Sequence, residues 1–369
     1  MNISTSAVDE FITVRIPKEQ GEDKFLDKNR GFVDKLDIMN KRQQLHNPKV
    51  SVIMSVYNGE KYVKNAIESI LNQTFEDFEF IIINDGSTDK TKEILEGFKD
   101  MRLFIMHQEN SGLTLSLNNA IELSRGEYIA RMDADDISLP QRFELQVKFL
   151  DENKDIAVVG SHYYIIDDQD RIIDTRYVIC EPELIQEALL TSCQFGHGTV
   201  MIRKNVLNEV GYYNPEAIHV EDYELWLRMA ENFKMSNLDT ILYKWRSQEN
   251  QIARKYQKEQ QKYTQIIRQL AKKRRNVSVL YQPSKQLIER IGRKRLSEIY
   301  FELGIISIFA NEELHEAKNQ LFISMKYNPW NIKTYPYLCL ALLPLNTFRL
   351  IRICKQKICK LLNIGKKIG

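Results

Sequence analysis

The chain has 369 residues, of which 43% are hydrophobic and 28% charged. This composition is ordinary for a globular protein with one large domain and a smaller one. Its five cysteines are scattered and form no CxxC pair, which excludes an evident zinc site or disulfide framework and suits a reducing cytoplasm. The first twenty residues lack a basic segment followed by an apolar core, so we expect no signal peptide.

The net charge of +2 hides an asymmetry along the chain. No acidic residue follows Glu316, whereas ten Lys and Arg residues do. An acidic body with a basic tail argues against general nucleic-acid binding. It favours contact between the tail and an anionic surface.

Residues 1–48 form a charged N-terminal extension to which the sequence assigns no function. Beyond it, four runs rich in β-branched and aromatic residues predict buried strands, separated by segments with helical spacing and short Gly or Asn turns. The predicted strands cover residues 50–57, 78–83, 102–106 and 128–132. This alternation predicts an α/β fold with a doubly wound, mostly parallel sheet and helices on both of its faces.

Shorter elements are predicted after Pro140. Helical spacing continues to about Leu150 and returns at Pro182–Leu190 and His219–Met229. Strand-like runs cover residues 156–159, 163–166 and 171–175. We also predict a strand over residues 196–203, entered through a histidine with glycine on both sides.

Three carboxylates follow the fourth predicted strand: Asp133, Asp135 and Asp136. Side chains this close repel one another unless a cation lies among them, and oxygen ligands favour a hard divalent ion such as Mg²⁺ or Mn²⁺. Ligands of open α/β sheets bind beyond the carboxyl ends of the strands, where these residues are expected. A solvated acidic turn that caps the next helix is the other reading.

Two further acidic positions have a chemical and a structural interpretation. Asp85 follows the second strand and could approach a base or ribose, although a turn-forming Asp is more common. Glu221 and Asp222 lie in the first turn of a predicted helix, where the helix dipole alone favours acids. A carboxylate near a cation and a second one that accepts a proton from an alcohol would serve transfer onto a hydroxyl from a diphosphate leaving group.

Five segments in this order resemble the motifs of family 2 inverting glycosyltransferases with the GT-A fold, of the type that builds bacterial cell-surface polysaccharides. The resemblance covers roughly residues 49–247. Its segments are Val-Ser-Val-Ile-Met-Ser-Val-Tyr-Asn-Gly from Val50, Ile-Asn-Asp-Gly-Ser-Thr-Asp from Ile83, Asn-Ser-Gly-Leu from Asn110, Ala-Arg-Met-Asp-Ala-Asp-Asp-Ile-Ser-Leu-Pro from Ala130 and Glu-Asp-Tyr-Glu-Leu-Trp-Leu-Arg from Glu221. Ser55 departs from the pattern, since many relatives have proline there, and this affects turn stiffness rather than chemistry.

The resemblance implies roles on the donor side of the site. Val56 and Tyr57 would pack around the base of a nucleotide sugar, and Asp85 would contact that base. Asp133 and Asp135 would form the DXD motif that binds Mn²⁺ or Mg²⁺, with Asp135 the more direct ligand and Asp133 facing the ribose.

The resemblance also implies roles on the acceptor side. Asp222 would be the catalytic base, with Glu221 beside it in the acceptor pocket. Gly196, His197 and Trp226 would line that pocket, although a lone histidine is more often structural.

Lys244 and Arg246 are two bases close to the end of the matched region. We interpret them as residues that could close over the pyrophosphate of the donor. A solvated basic linker is an equally good interpretation of the same residues.

The C-terminal third changes composition. Residues 49–250 are predicted as the catalytic domain, 251–336 as a helical region and 337–369 as a basic amphipathic tail. Segments 296–310 and 313–327 resemble one tetratricopeptide-like hairpin, which must pack on its neighbours to be stable. In the tail, apolar positions between 350 and 362 share one helical face opposite Arg and Lys, as in an interfacial membrane helix. A tail that packs on protein is the other possibility.

Together these features predict a metal-dependent inverting glycosyltransferase of the hexosyltransferase type. Its donor would be a nucleotide sugar, with a UDP-sugar as the first candidate. Its acceptor would be a hydroxyl of a glycan or a polyprenyl-linked molecule. The enzyme would be cytoplasmic and peripheral on the inner face of the cell membrane, without binding nucleic acid. A non-catalytic nucleotide-sugar-binding module and a metal-dependent phosphatase are the alternatives. A nicotinamide oxidoreductase is disfavoured because GxGxxG is absent.

Overall fold

The computed structural model describes residues 47–247, 256–275, 283–309 and 314–343. The predicted amphipathic segment of the tail and most of the N-terminal extension lie outside these described residues. Four parallel strands form the first half of the sheet, in the order β3-β2-β1-β4. They are β1 (Val50–Val56), β2 (Phe78–Asp85), β3 (Leu103–Gln108) and β4 (Tyr128–Arg131).

The side chains of β1, β2 and β4 are buried almost throughout, which explains why these segments read as continuous apolar runs. The connecting helices are α1 (Val63–Leu71), α2 (Thr91–Gly97) and α3 (Leu113–Leu123). The strand register pairs Val56 of β1 with Asn84 of β2, and Asp85 with Gln108 of β3. The carboxyl ends of these strands therefore meet at one edge of the sheet.

The second half of the sheet is mixed. Its strands are β5 (Ile137–Ser138), β6 (Ile156–Ile166), β7 (Ile172–Arg176), β8 (Met201–Arg203) and β9 (Lys234–Arg246). β8 pairs antiparallel with β4 and β6, whereas β9 runs parallel to β6. The end of β9 then pairs with β5, directly after the acidic loop. The helices of this half are α4 (Arg142–Glu152), α5 (Pro182–Ala188), α6 (Lys204–Val210) and α7 (Glu221–Met229).

Two elements here differ from the expectation. The segment predicted as one strand over residues 196–203 contains a 3₁₀ turn at His197–Thr199, and only Met201–Arg203 is strand. This turn brings Gly198 so close to Tyr243 that a Cβ atom at position 198 would collide with the Tyr243 hydroxyl. The sequence analysis predicts no strand at all over Lys234–Arg246, where β9 lies.

The C-terminal region is helical. It comprises α8 (Gln257–Arg274), α9 (Lys285–Ile291), α10 (Arg293–Phe309), α11 (Leu314–Tyr327) and α12 (Thr334–Ala341). Gly304 of α10 lies against Leu321 of α11, with room for no larger side chain. Within the described ranges, no helix combines the length and apolar character that a bilayer span requires.

A buried polar network joins this helical region to the turn that follows α5. The Thr191 hydroxyl donates to Glu316 Oε1 at 3.0 Å and accepts from Gln320 Nε2 at 3.0 Å. The Thr191 carbonyl accepts from Arg268 Nη1 at 2.6 Å. Because buried polar groups are costly to leave unpaired, this network fixes α8 and α11 against the turn after α5. The architecture confirms the predicted GT-A-type α/β class with a helical C-terminal region.

Candidate active site

The edge where β1 and β2 end carries the residues predicted to meet the nucleotide base. Val56 is buried in the core, and Tyr57 directly after it is 54% exposed. Asn58 has a left-handed φ of 51°, and its amide side chain accepts from Thr88 N–H at 2.8 Å. The turns after β1 and β2 are therefore tied together beneath an exposed tyrosine ring.

Asp85 is buried at the end of β2, and its carboxylate is already well supplied with donors. It accepts from Ser111 N–H and Gln108 Nε2, each at 2.8 Å, and from Gly112 N–H at 2.9 Å. Burial would raise the pKa of Asp85, but these hydrogen bonds outweigh it and lower the pKa below the ordinary value. In this structure Asp85 shapes the loop between β3 and α3, and its predicted contact with a base stays a prediction.

The acidic loop after β4 is held by Arg131, to which the sequence analysis assigns no role. Arg131 is fully buried, and its Nη2 donates to Asp133 Oδ1 at 2.7 Å. The Asp133 N–H donates to the Tyr243 hydroxyl at 3.2 Å. A charge inside the apolar strand Tyr-Ile-Ala-Arg-Met must be paired, because burying an unpaired charge is costly. This is the feature of the sequence from which a structural role of Arg131 could have been predicted.

Asp136 points inward, unlike the other two acids of the loop. It is buried, and its Oδ1 accepts from the Arg246 backbone N–H at 2.7 Å. Burial, and next the charges of Asp135 and Asp133, raise the pKa of Asp136 well above its ordinary value. Asp133 and Asp135 are partly exposed, so these two remain the candidates for a bound cation.

The structure does not bring Arg246 to an open cleft, where a pyrophosphate contact would require it. Its guanidinium is buried: Nε donates to the Asp135 carbonyl at 2.7 Å and Nη2 pairs with Asp170 at 2.5 Å. Lys244, two residues earlier on β9, is only half-buried and pairs in register with Ile137. Arg246 therefore lies behind the acidic loop and fixes its backbone.

Glu221 and Asp222 form the first turn of α7. Burial, and next the neighbouring charge of Glu221, raise the pKa of Asp222 to about 7. Burial likewise raises the pKa of Glu221, which also feels the charges of Arg131 and Asp133. The acid pair of α7 and the Arg131–Asp133 pair of β4 therefore belong to one electrostatic site, although they are far apart in sequence.

Of the predicted acceptor-side residues, His197 and Trp226 belong to one aromatic cluster. His197 Nε2 is 2.9 Å from the Tyr213 hydroxyl, and its ring packs edge-on against those of Tyr213 and Trp226. Burial, and next the charge of Arg131, lower the pKa of His197 to about 3, so the ring is neutral. Trp226 is fully buried and packs on Phe195. None of Gly196, His197 and Trp226 lines the two cavities described below.

A cavity of about 310 Å³ opens beside Asp222. One wall is formed by residues 191–193 and by residues at the start of α7, and the other by α8, which contributes Gln261, Thr264 and Gln265. A second cavity of about 720 Å³ shares three lining residues with the first: Ser192, Cys193 and Ile306. We call the two together the interdomain groove, which runs from Asp222 between the sheet and the C-terminal helices.

The loop before α7 is also held by α8. His219 has a left-handed φ of 65°, and its ring stacks on Tyr256 with centroids 4.4 Å apart. The Gln260 side-chain amide donates to the His219 carbonyl at 2.9 Å. Helix α8 therefore both lines the groove and steadies the segment that leads into Glu221 and Asp222.

The carboxylates of the acidic loop fit a divalent cation that is shared with a ligand. Among the described residues, three ligand atoms from His, Cys, Asp or Glu come within 4.8 Å of one another only at His162, Cys180 and Asp239. The loop thus offers Asp133 and Asp135 without a third protein ligand. Mg²⁺ and similar ions are commonly held by one or two carboxylates, with substrate phosphates completing the shell.

The cluster at His162 is a poor metal site despite its composition. Val178 N–H donates to His162 Nδ1 at 3.2 Å, so the neutral ring carries its proton on Nε2. That Nε2 points at Asp239 Oδ1, 2.9 Å away. Metal binding would need the lone pair of the nitrogen that bears this proton.

Asp133 and Asp135 at the end of the parallel sheet and the Asp222 carboxyl group with its raised pKa together form the candidate active site. The model of the family described as glycosyl transferase family 2 matches residues 51–211. The chain is 36% identical over 223 residues to an uncharacterized glycosyltransferase of Methanocaldococcus jannaschii, covering 57% of this chain and 76% of that protein. The chain belongs to glycosyl transferase family 2.

Two further comparisons extend this result. The chain is 35% identical over 204 residues to the O-antigen biosynthesis glycosyltransferase WbnJ of Escherichia coli, covering 53% of this chain and 79% of that protein. Among solved structures, it is similar to the mannosyltransferase PcManGT from Pyrobaculum calidifontis in complex with GDP-Man and Mn²⁺. The TM-score is 0.48 and the identity 15%, with coverage of 84% and 94% of the two chains.

Proposed function

We propose that this glycosyltransferase is metal-dependent and inverting, and that it moves a hexose from a nucleotide sugar, a UDP-sugar first, to a hydroxyl of a glycan or polyprenyl-linked acceptor. Its work would belong to cell-surface polysaccharide synthesis, at the cytoplasmic face of the cell membrane. The observation that carries the proposal is the position of Asp222, half-buried at the mouth of the interdomain groove and electrostatically coupled to Asp133.

The donor would lie across the edge formed by the ends of β1, β2 and β4. Tyr57 is exposed at that edge and can cover a base, while the turns beneath it are tied together. Asp133 and Asp135 would hold Mn²⁺ or Mg²⁺, which neutralises negative charge on the departing diphosphate. Arg131 keeps Asp133 oriented, and Arg246 keeps the loop backbone in place.

The acceptor hydroxyl would approach from the groove. The Asp222 carboxylate takes its proton while the acceptor oxygen forms a bond to the anomeric carbon. The bond from that carbon to the diphosphate oxygen breaks on the opposite face, and its electron pair leaves with the diphosphate, so the configuration inverts. Because the pKa of Asp222 is raised, its carboxylate is basic enough to share the proton near neutral pH.

The donor half of this proposal predicts that nucleotide-sugar binding needs both the metal and Asp135. Calorimetry with UDP-, GDP- and dTDP-sugars should show one donor that binds with Mn²⁺ or Mg²⁺, with affinity at least about tenfold weaker in chelator or in Asp135→Ala. Asp174→Ala, which removes an exposed acid of β7, is the matched control and should bind normally. Equal binding by Asp135→Ala and native protein would rule out the proposed metal ligand.

The acceptor half predicts that the interdomain groove binds the acceptor. In Gln261→Ala/Gln265→Ala, the KM for an oligosaccharide acceptor found by screening should rise about tenfold, because two hydrogen-bonding side chains are lost. The donor affinity should not change. Gln269→Ala, an exposed position of α8 that does not line the groove, serves as control. An unchanged acceptor KM in the double variant would place the acceptor elsewhere.

A further inference from the structure

Helix α12 is apolar on both of its faces. Its sequence, Thr-Tyr-Pro-Tyr-Leu-Cys-Leu-Ala, contains no charged residue. Leu338 and Ala341 are buried in a small core with α10 and α11. Tyr335, Cys339 and Leu342, spaced as i, i+4 and i+7, share a second face and are exposed, Tyr335 by 42% and Leu342 by 57%. A helix that is hydrophobic all round normally lies in a protein core or a membrane.

The turn before α12 extends this exposed face. Trp330 is 90% exposed and Ile332 is 78% exposed. The turn is a fixed structure: Ile332 N–H donates to the Trp330 carbonyl at 2.8 Å, and the Tyr335 hydroxyl donates to the Pro329 carbonyl at 2.9 Å. These hydrogen bonds fix the backbone of the turn in a conformation that exposes the side chains of both Trp330 and Ile332.

The charged residues of this stretch of the sequence have one sign. Lys326 and Lys333 are exposed on either side of Trp330. No acidic residue occurs anywhere in the sequence after Glu316. A second copy of the chain is a poor partner, because a two-fold contact would bring these basic surfaces together. Anionic lipid headgroups complement the charge, and Trp and Tyr favour the interface between water and lipid.

We infer that Trp330, Ile332, Tyr335, Cys339 and Leu342, here called the docking face, insert into the surface of an anionic lipid bilayer. The inference rests on the proposed membrane-proximal function and assigns its contact to a folded surface within the helical region. Helix α10 relates this surface to the active site. Phe301 and Phe309 of α10 pack on Tyr337 of α12, while Glu302 and Leu303 line the interdomain groove. Because α10 contacts both α12 and the groove, a membrane-anchored acceptor would then lie close to the groove.

The test uses the full chain with vesicles of phosphatidylcholine containing phosphatidylglycerol, or of phosphatidylcholine alone. Brominated acyl chains should quench Trp330 fluorescence in the anionic vesicles only. Trp330→Phe should remove the quenched component, since Trp226 is buried and Trp245 packs partly buried against the core of the sheet. Trp330→Ala/Ile332→Ala should partition onto anionic vesicles at least about tenfold more weakly. Ile172→Ala/Ile173→Ala, which removes two exposed isoleucines of β7, should partition like the native protein.

Three results would overturn the inference. Binding to vesicles without quenching of Trp330 would mean that another segment makes the contact. A native dimer in sedimentation that the Trp330→Ala/Ile332→Ala variant dissociates would make the docking face a contact between copies. Equal partitioning of the variant and native protein would remove the face from membrane binding. Nucleotide-sugar binding, measured on the same variants by calorimetry, should be intact, which separates these results from failure of the proposed glycosyl transfer.

Discussion

Asp222→Asn should reduce the rate of sugar transfer by about 10³-fold and leave donor affinity unchanged. Asparagine matches the shape of the carboxylate but cannot accept the proton of the acceptor hydroxyl. The rate is measured as nucleotide diphosphate release in the presence of acceptor, and donor binding by calorimetry. The control is Glu224→Gln, in the same first turn, whose carboxylate is engaged by Arg228 at 2.9 Å. Normal transfer by Asp222→Asn would assign the base to another residue, and binding without transfer in the native protein would favour a non-catalytic module.

The raised pKa of Asp222 gives this prediction a pH dependence. With a pKa of about 7, the base is mostly protonated at pH 6 and mostly ionised at pH 8, so kcat/KM should rise about tenfold over that range. A raised pKa means that the folded chain holds the proton more tightly than the unfolded chain, so the native protein loses stability as pH rises from about 4 to about 7. The Tm of Asp222→Asn should therefore exceed that of native protein by more at pH 8 than at pH 5.

Arg246→Ala should lower the free energy of unfolding by about 3 kcal/mol or more, and Tm by roughly 6 °C or more. The substitution leaves the Asp135 and Asp167 carbonyls and the Asp170 carboxylate without their buried donor. Donor affinity should fall with it, since the acidic loop loses its support. The measurements are thermal unfolding and donor calorimetry on the same samples.

Lys244→Ala is the matched test for the other base of β9. Its side chain is half-buried, so its removal should leave Tm nearly unchanged. If Lys244 closes over the pyrophosphate, the donor affinity of Lys244→Ala will fall without a loss of stability. The same pattern in Arg246→Ala, weaker donor binding at an unchanged Tm, would contradict the structural role of Arg246 and restore the pyrophosphate contact.

The first half of the fold was predictable because β1, β2 and β4 are buried on both faces. Such strands read as unbroken apolar runs, and short turns between them leave few topologies to choose from. The acidic loop was also predictable, because carboxylates clustered at the end of a buried strand repel one another and indicate a bound cation. The acid pair of α7 was recognisable as two acids in the first turn of a helix. That these two groups belong to one site came from the family resemblance, and in the structure the charge of Asp133 helps to raise the pKa values of Glu221 and Asp222.

The features that the sequence does not predict depend on contacts between residues that are distant in sequence. β9 pairs with the parallel strand β6 on one side and with the short β5 on the other. Its charged and apolar residues therefore follow no single hydrophobic period, and no strand is predicted there. Arg246 resembled a free base because its four partners lie about 80 to 110 positions away. The hydrogen-bond donors to Asp85 likewise come from the next loop. The sequence therefore shows the carboxylate but not the groups that donate hydrogen bonds to it.

The interdomain groove has walls of separate origin, and this has a consequence for redesign. The part of the chain before residue 248 supplies Asp222, in the first turn of α7, and every residue proposed to hold the donor, whereas α8 and α10 supply the opposite wall. Substitutions confined to Gln261, Thr264 and Gln265 would therefore alter which alcohol is glycosylated while the sugar that is transferred stays the same. A combinatorial library at these three helix positions would explore new linkages on an unaltered donor chemistry.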